Sequence, residues 1–483
     1  MLIKELNKIC YVAPANPAGR QLLAQLNIEG IMTRGIVDNL KSDPGIACLD
    51  IPLKDDCIII VASGVAQFNI AMGLMNRGVK SKQIFLQIEK TLQVKPYRPL
   101  SIYFKNCYFK FKCLLVNCGM KFFTTKYVVY YAENFIDTNL LLQFLAHQRE
   151  KDDEAILICR KMTRQPALEK KLGYMIEKHT ILAFYYLCRA RVIVIDHEYT
   201  SDLFRLIRTS RAVVQLWHGL PYKLISGNKH YISKPDEVFI SSSAWYNDNI
   251  FNRLFLAENF RDFGYARNDI FLQSADKDEL INAVSLKKLK DTIDSTGQLW
   301  VYMPTYRDNE SSINLDLSRL NVLCDKYNRS LILKLHPFVL RVLASQFDFT
   351  EDDEELVIFN PFSNIYLYPS GMNIYPWLAQ SEVLITDFSS VATDYLLHDR
   401  PIFYYQYDKD EYFDVRGSFL VNDDYYYAGP VATDFEMLLQ LLEDYAKNGD
   451  HWQAARSMLK QRLGLTEQLA TPAIYQQIKS LAE

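Results

Sequence analysis

The stretch VLITDFSSVATDYLL, Val383 to Leu397, decides how the rest of the chain is read. Val383, Leu384, Ile385 and Thr386 form an apolar, β-branched run typical of a buried strand. Asp387, Ser389 and Ser390 then interrupt it before apolar residues return at helical spacing in Val391, Tyr395 and Leu396. The segment therefore predicts a strand, a polar turn and a helix start. A helix start presents backbone N–H groups without intrahelical partners at the positive end of the helix dipole, and the hydroxyls of Ser389 and Ser390 add donors, a setting that suits a phosphate. Ser and Asp begin helices everywhere, so the turn needs support from other strand ends before it reads as a site.

That support lies on either side of it. Leu299 to Met303, Leu331 to Leu335, Leu356 to Phe359 and Ile402 to Tyr405 read as further strands with helical segments between, and together they predict a parallel sheet. In such sheets ligands sit beyond the carboxyl ends of the strands. Thr305 and Arg307 follow the first strand, Lys334 and His336 end the second, and Asp387 through Ser390 follow the fourth. Cations and donors converging on a helix start form a pocket for a diphosphate. The acidic run Glu351 to Glu355 reads as a solvated turn.

The same rhythm fills the middle of the chain. Lys112 to Asn117, Tyr127 to Tyr131, Ala155 to Cys159, Val192 to Asp196 and Ala212 to Leu216 predict a second doubly wound sheet, followed by a short strand from Val238 to Ser241. Trp217, His218 and Gly219 come directly after the fifth of these strands. Gly219 permits a sharp turn, so the His218 imidazole is expected in the cleft, where a neutral ring accepts protons near pH 7. His197, after the preceding strand, has only its position in its favour and reads as structural. In FGYARND, Phe263 to Asp269, a glycine breaks the element and Arg267, Asn268 and Asp269 gather polar chemistry beside it. Residues 270–298 are polar and helical in pattern and read as a connection.

The first ninety-odd residues alternate strand and helix as well: Ile9 to Ala13, a helix from Arg20 to Leu26, Gly30 to Val37 and Cys57 to Ala62. They resemble the small Rossmann-like domains that precede some sugar-modifying and polymer-forming enzymes. The turn from Ala13 to Gly19 keeps only its last glycine, however. Pro14, Ala15, Pro17 and Ala18 stand where glycines let a backbone approach a pyrophosphate, so a structural or docking role is expected instead of nucleotide binding.

At 483 residues the chain exceeds one ordinary core, and two or three domains of roughly 100–200 residues are expected. Apolar residues at 49% and charged residues at 23% are globular proportions and exclude a largely disordered chain. A net charge of -3 gives no electrostatic case for nucleic acid. The nine cysteines lack zinc-ligand spacing and read as reduced thiols of a cytosolic protein. MLIKELNKIC is not followed by an apolar signal segment, and the greasiest run, Ile181 to Ile195, is broken by Arg189 and Arg191. Membrane contact is therefore expected to be peripheral. The basic SLKKLK at Ser285 to Lys290 reads as a solvated helix face.

With these residues in place, a pattern emerges. QLWHGLPYK, FGYARND, YMPTYRD, KLHP, VLITDFSSVATDYLL and RPIFYY resemble, in order and spacing, the CDP-glycerol glycerophosphotransferase family, the polymerases of teichoic acids and similar bacterial capsules. The likeness runs from about Phe111 to Pro430. Leu220 stands where the family often has Thr, Ala266 where it often has Pro, and Pro369 to Trp377 looks longer than usual. The resemblance implies an α/β GT-B architecture, two Rossmann-like lobes facing a cleft, preceded by the small N-terminal domain. The boundaries expected are 1–100, 101–275 for the acceptor lobe and 276–483 for the CDP-donor lobe with its C-terminal helices.

The resemblance further implies that an acceptor hydroxyl attacks the β-phosphorus of a CDP-alditol and CMP leaves. His218 would be the base. His336 would share the catalysis and, with Arg307, Lys334, Thr305 and the Ser389/Ser390 turn, hold the diphosphate. Gly219, Arg267, Asn268 and Asp269 would line the site, while Asp387 and Asp394 either orient these groups or contact ribose. No Asp-x-Asp metal motif is evident and no cofactor is expected. The partners implied are the CDP-alditol and a polymer or lipid-linked acceptor, at the cytoplasmic face of the inner membrane. A GT-B glycosyltransferase using another nucleotide donor shares the fold, and the nucleotide released separates the two. A non-catalytic scaffold of an assembly complex would have no need of His218, Arg307, His336 and Ser389.

Overall fold

The computed structural model describes residues 2–15, 17–37, 53–62, 67–88, 91–98, 111, 114, 118–119, 121–132, 139–150, 154–159, 175–178, 180–197, 211–219, 222, 236–272, 298–305, 307, 314–336, 339–340, 357–358, 362–368, 373–416 and 419–483. They form two compact units, Met1–Leu114 and Leu115–Glu483. The first unit therefore runs past the expected boundary at residue 100. The expected boundary at 275/276, the SLKKLK run, the acidic run and residues 369–372 lie outside the described residues, as do all but Leu114 of the strand expected at Lys112 to Asn117.

In the first unit, β1 (Ile9–Ala13), β2 (Thr33–Ile36), β3 (Cys57–Val61), β4 (Ile84–Gln87) and β5 (Val94–Pro96) form a sheet of order β2-β1-β3-β4-β5. All pairs are parallel except β4 with β5. The β1 turn leads into the helix Pro17–Ile28. A Cβ on Gly19 would fall 1.9 Å from the Pro14 carbonyl oxygen, so the one retained glycine serves close packing of helix on turn.

The second unit holds two seven-stranded sheets. The first comprises β6 (Tyr127–Tyr131), β7 (Ala155–Cys159), β8 (Met175–Glu177), β9 (Ala190–Ile195), β10 (Ala212–Gln215), β11 (Val238–Ile240) and β12 (Asn259–Arg261), in the order β12-β11-β10-β9-β6-β7-β8. All its pairs are parallel. The second comprises β13 (Leu299–Tyr302), β14 (Ser330–Leu333), β15 (Val357–Ile358), β16 (Ile365–Leu367), β17 (Val383–Thr386), β18 (Ile402–Tyr405) and β19 (Val431–Ala432), in the order β15-β16-β14-β13-β17-β18-β19. One strand departs from expectation: β15 runs antiparallel to β16 and closes the sheet edge. In each sheet the chain winds outward from its first strand and then returns to that strand's other side. This puts a topological switch point between β6 and β9 in one lobe and between β13 and β17 in the other.

The strands read as unbroken apolar runs because both faces are covered. Val301 and Leu384 pack into one cluster, and Trp300 and Ile385, their neighbours in sequence, into another on the opposite face. The first of these clusters is shared: Trp217, Phe239 and Phe255 of the β6–β12 lobe join Val391, Ala392 and Tyr395 of the β13–β19 lobe. The last helix, Ala470–Ala482, packs on the first of the two lobes. It buries Ala470, Ile474, Ile478 and Ala482, a stripe at helical spacing, against Val128, Tyr130, Leu141 and Phe144 of the first lobe, not the second.

Candidate active site

His218 follows β10, and its position is built by unusual backbone. Trp217 has a φ of 53°, a left-handed conformation that costs a residue with a Cβ roughly 1–2 kcal/mol. Two buried amides hold it there. Gln215 Oε1 accepts from the Trp217 N–H at 2.9 Å, and Asn139 Nδ2, at the start of the helix Asn139–Arg149, donates to the carbonyls of Leu216 (3.1 Å) and Trp217 (2.7 Å). Asn139 Oδ1 in turn accepts from the Arg267 N–H at 3.2 Å.

The His218 ring is then fixed on three sides. Its Nδ1 lies 2.9 Å from the Asp196 carbonyl, which can only accept, so Nδ1 carries the hydrogen and Nε2 is the basic nitrogen of the neutral ring. Trp217 covers one face at 4.2 Å and the His197 ring stacks on the imidazole at 4.0 Å and 7°. Burial, then the neighbouring His197, lower the pKa from 6.5 to about 4. The ring therefore stays neutral, an available base, through the whole range above that pH.

Gly219 brings the two lobes into contact. A Cβ there would meet Ser390 Oγ at 2.9 Å and Arg267 Nη2 at 3.6 Å, so the turn carrying His218 rests on the turn that follows β17. Behind this contact stands Asp394, fully buried, whose carboxylate accepts from Arg267 Nη2 (2.5 Å), Asn268 Nδ2 (2.9 Å) and Tyr375 Oη (2.7 Å). Arg267 Nη1 also donates to the His218 carbonyl at 2.8 Å. Tyr222 adds a second bridge, its hydroxyl 2.5 Å from Thr393 Oγ1.

The second group of expected residues meets at the β13/β17 switch point. Asp387 accepts from the Thr305 N–H (2.9 Å), from Thr305 Oγ1 (2.7 Å) and from Arg307 Nη1. Arg307 is further clamped by Asp408, Nε to Oδ2 at 2.9 Å and Nη2 to Oδ1 at 2.8 Å. Burial opposes its charge, but the Asp408 and Asp387 carboxylates outweigh burial and keep the guanidinium protonated. Arg307 thus serves the loop that carries Asp387, with two carboxylates against its one charge. After Asp387 the chain turns through Phe388, and among the described residues the N–H groups of Ser389 and Ser390 have no partner. The helix they introduce, Val391–Tyr395, is short and continues as the tighter turn Leu396–His398, so recognition of an anion there rests on these N–H groups and hydroxyls more than on a long helix dipole.

Further expected residues sit on other elements. Lys334 directly follows β14, largely buried, with Nζ 5.2 Å from the centre of the Tyr368 ring, and His336 is exposed two residues further on. Asp269, expected at the substrate, is a helix cap: its two carboxylate oxygens accept from the N–H groups of Ala470 and Thr471, both at 2.8 Å, which pins the last helix to the first lobe. His197, read as structural, touches the expected base. Asn139, Gln215, Tyr375 and Asp408 carried no signal at all, since each acts through contacts far along the chain.

The profile of one family, described as CDP-glycerol:poly(glycerophosphate) glycerophosphotransferase, matches residues 118–468. A teichoic acid glycerol-phosphate transferase of Staphylococcus aureus is 25% identical over 317 residues, covering 59% of this chain and 75% of the relative. A teichoic acid poly(glycerol phosphate) polymerase of Bacillus spizizenii is 28% identical, covering 47% of this chain and 60% of the relative. The chain thus spans under two thirds of that polymerase. The solved structure of the wall teichoic acid polymerase TagF superposes with a TM-score of 0.57 at 18% identity, over 80% of this chain and 98% of that one. At that identity the likeness speaks for the fold, two Rossmann-like lobes of the GT-B kind.

Proposed function

The chain belongs to the CDP-glycerol:poly(glycerophosphate) glycerophosphotransferase family, and from that premise we propose that it transfers glycerol phosphate from CDP-glycerol to the terminal hydroxyl of a growing teichoic-acid-like or capsular polymer. The observation that carries this reading is the neutral His218 ring, Nε2 as its basic nitrogen, on a turn that rests against Ser390. The acceptor hydroxyl gives its proton to His218 Nε2 as its oxygen bonds to the β-phosphorus of the donor. The bond from that phosphorus to the bridging oxygen breaks, and CMP leaves with the electron pair. Phosphoryl transfer asks the protein for positioning and for charge stabilisation more than for covalent chemistry. Ser389 and Ser390 supply N–H groups and hydroxyls to the diphosphate, with Lys334 and His336 from the end of β14, two strands away. Arg307, Thr305 and Asp387 keep that turn in shape, and Arg267, Asn268 and Asp394 keep the base opposite it.

The test is product analysis with CDP-glycerol and CDP-ribitol offered separately to the full chain with a polyol-phosphate primer. CMP release and primer extension with CDP-glycerol are expected. Turnover with UDP- or GDP-sugars instead would replace this reading with a glycosyltransferase.

The acceptor is proposed to be held at a lipid surface. Among the described residues no helix is long and apolar enough to cross a membrane. The first lobe, however, exposes Phe122 (83%) and Ile181 (89%), with Phe123 and Leu182 beside them, and Phe123 meets Tyr185 at 5.5 Å. Arg189 reaches into the same place, donating to the Thr124 carbonyl at 3.2 Å, and Lys126 lies over the Tyr127 ring. Apolar tips with a basic rim suit an anionic interface. Sedimentation with phosphatidylglycerol vesicles is expected to fall several-fold for Phe122→Asp/Ile181→Asp and with added salt. Unchanged, salt-insensitive sedimentation would refute a role for this patch.

A further inference from the structure

Asp196, at the end of β9, holds two imidazoles at once. Its carboxylate accepts from His197 Nδ1 at 2.8 Å, while its carbonyl accepts from His218 Nδ1 at 2.9 Å. The rings so tied lie nearly parallel, 4.0 Å apart. Asp196 is fully buried and the His197 side chain is 38% exposed, so His197 is the more exposed of two rings packed on His218, the other being the tilted Trp217 indole at 4.2 Å. His218 cannot turn about its Cβ–Cγ bond without losing both the stack and the Asp196 bond. Gln215 completes the arrangement, Nε2 donating to the His197 carbonyl at 3.3 Å while its oxygen holds Trp217.

We propose that His197 is a positioning residue for the His218 base, fixing the plane in which Nε2 meets the acceptor hydroxyl. The inference rests on His218 being that base. It has an electrostatic side too, because His197, after burial, is the largest influence that lowers the His218 pKa and so keeps the ring neutral. Among the described residues, the other charged groups facing the pair are the Asp196 carboxylate and, from the segment after β12, the Arg267 guanidinium, itself paired with Asp394.

The experiment compares wild type, His197→Ala, His197→Phe and His218→Ala as full chains for kcat, KM for CDP-glycerol and the pH dependence of kcat/KM, with circular dichroism as the check on folding. His197→Ala is expected to lower kcat by up to roughly 100-fold, the scale of a misplaced catalytic group, with KM unchanged. His197→Phe is expected to recover most of that loss, since it restores a ring to the stack. In both, the acid limb moves to higher pH, because the His197 influence that held down the His218 pKa is gone. A His197→Ala enzyme with normal kcat and an unmoved limb overturns the inference, as does His197→Phe failing as badly as His197→Ala with a raised KM. An inactive His218→Ala beside a normal His197→Ala removes only this inference, whereas an active His218→Ala removes the base assignment itself.

Discussion

Asp394→Ala is expected to destabilise the second unit by about 3–5 kcal/mol, the range for breaking a buried ion pair from one side. The carboxylate is fully buried and takes three hydrogen bonds, from Arg267, Asn268 and Tyr375. Alanine leaves the Arg267 guanidinium, itself 4% exposed, without the charge that balances it. The loss comes from that stranded cation more than from the worth of the pair, since two ions brought out of water roughly offset their own attraction. Asp394→Asn keeps one oxygen, placed either for the Asn268 donor or for the Arg267 and Tyr375 donors, and should lose less. Urea unfolding followed by tryptophan fluorescence reads the difference, all the described tryptophans lying beyond Leu114. A midpoint unmoved in Asp394→Ala would show that the two lobes do not depend on this residue.

His218→Ala is expected to lower turnover by around 100- to 10,000-fold, the usual contribution of a general base. Three features fit the ring for proton abstraction, namely a fixed tautomer with Nε2 basic, two aromatic rings packed on it, and a pKa held to about 4 by burial and by His197. A base of so low a pKa is a weak acceptor in the ground state but is unprotonated in essentially every molecule at neutral pH. Its advantage appears as the acceptor oxygen becomes acidic on bonding to phosphorus. The same substitution removes no contact assigned to the donor, so affinity for CDP-glycerol should stay within about twofold. His218→Gln, which retains a polar group but no comparable base, should be as slow as alanine.

Much of this was legible in the chain. Val383 to Thr386, Tyr127 to Tyr131, Ala155 to Cys159 and Ile402 to Tyr405 are strands to the residue, because a strand buried on both faces must be apolar throughout. The strand-end rule then points to His218, Thr305, Arg307 and the Ser389/Ser390 turn. What sequence order could not reveal is partnership. Arg307 reads as a phosphate ligand, and its clamping by Asp408, a hundred residues on, leaves no trace in sequence order. Asp269 reads as cleft chemistry, and the last helix that it caps is equally distant in sequence. His197 reads as an ordinary neighbour of a strand because only the parallel pairing of β9 with β10 lays its ring on His218. The short strands β8, β12, β16 and β19 escape for a different reason: two or three residues carry too little periodicity to be distinguished from loop.

The division of labour between a base on the first lobe and a donor site on the second is tested most directly by titrating CDP-glycerol calorimetrically into His218→Ala and Lys334→Ala and measuring CMP release on the same preparations. Near-normal donor affinity with turnover down at least 100-fold is expected for His218→Ala, and weakened affinity for Lys334→Ala, whose proposed charge-assisted contact to phosphate is of a kind worth about 1–3 kcal/mol. A folded His218→Ala that binds CDP-glycerol as poorly as Lys334→Ala, or that releases CMP at the normal rate, would contradict it.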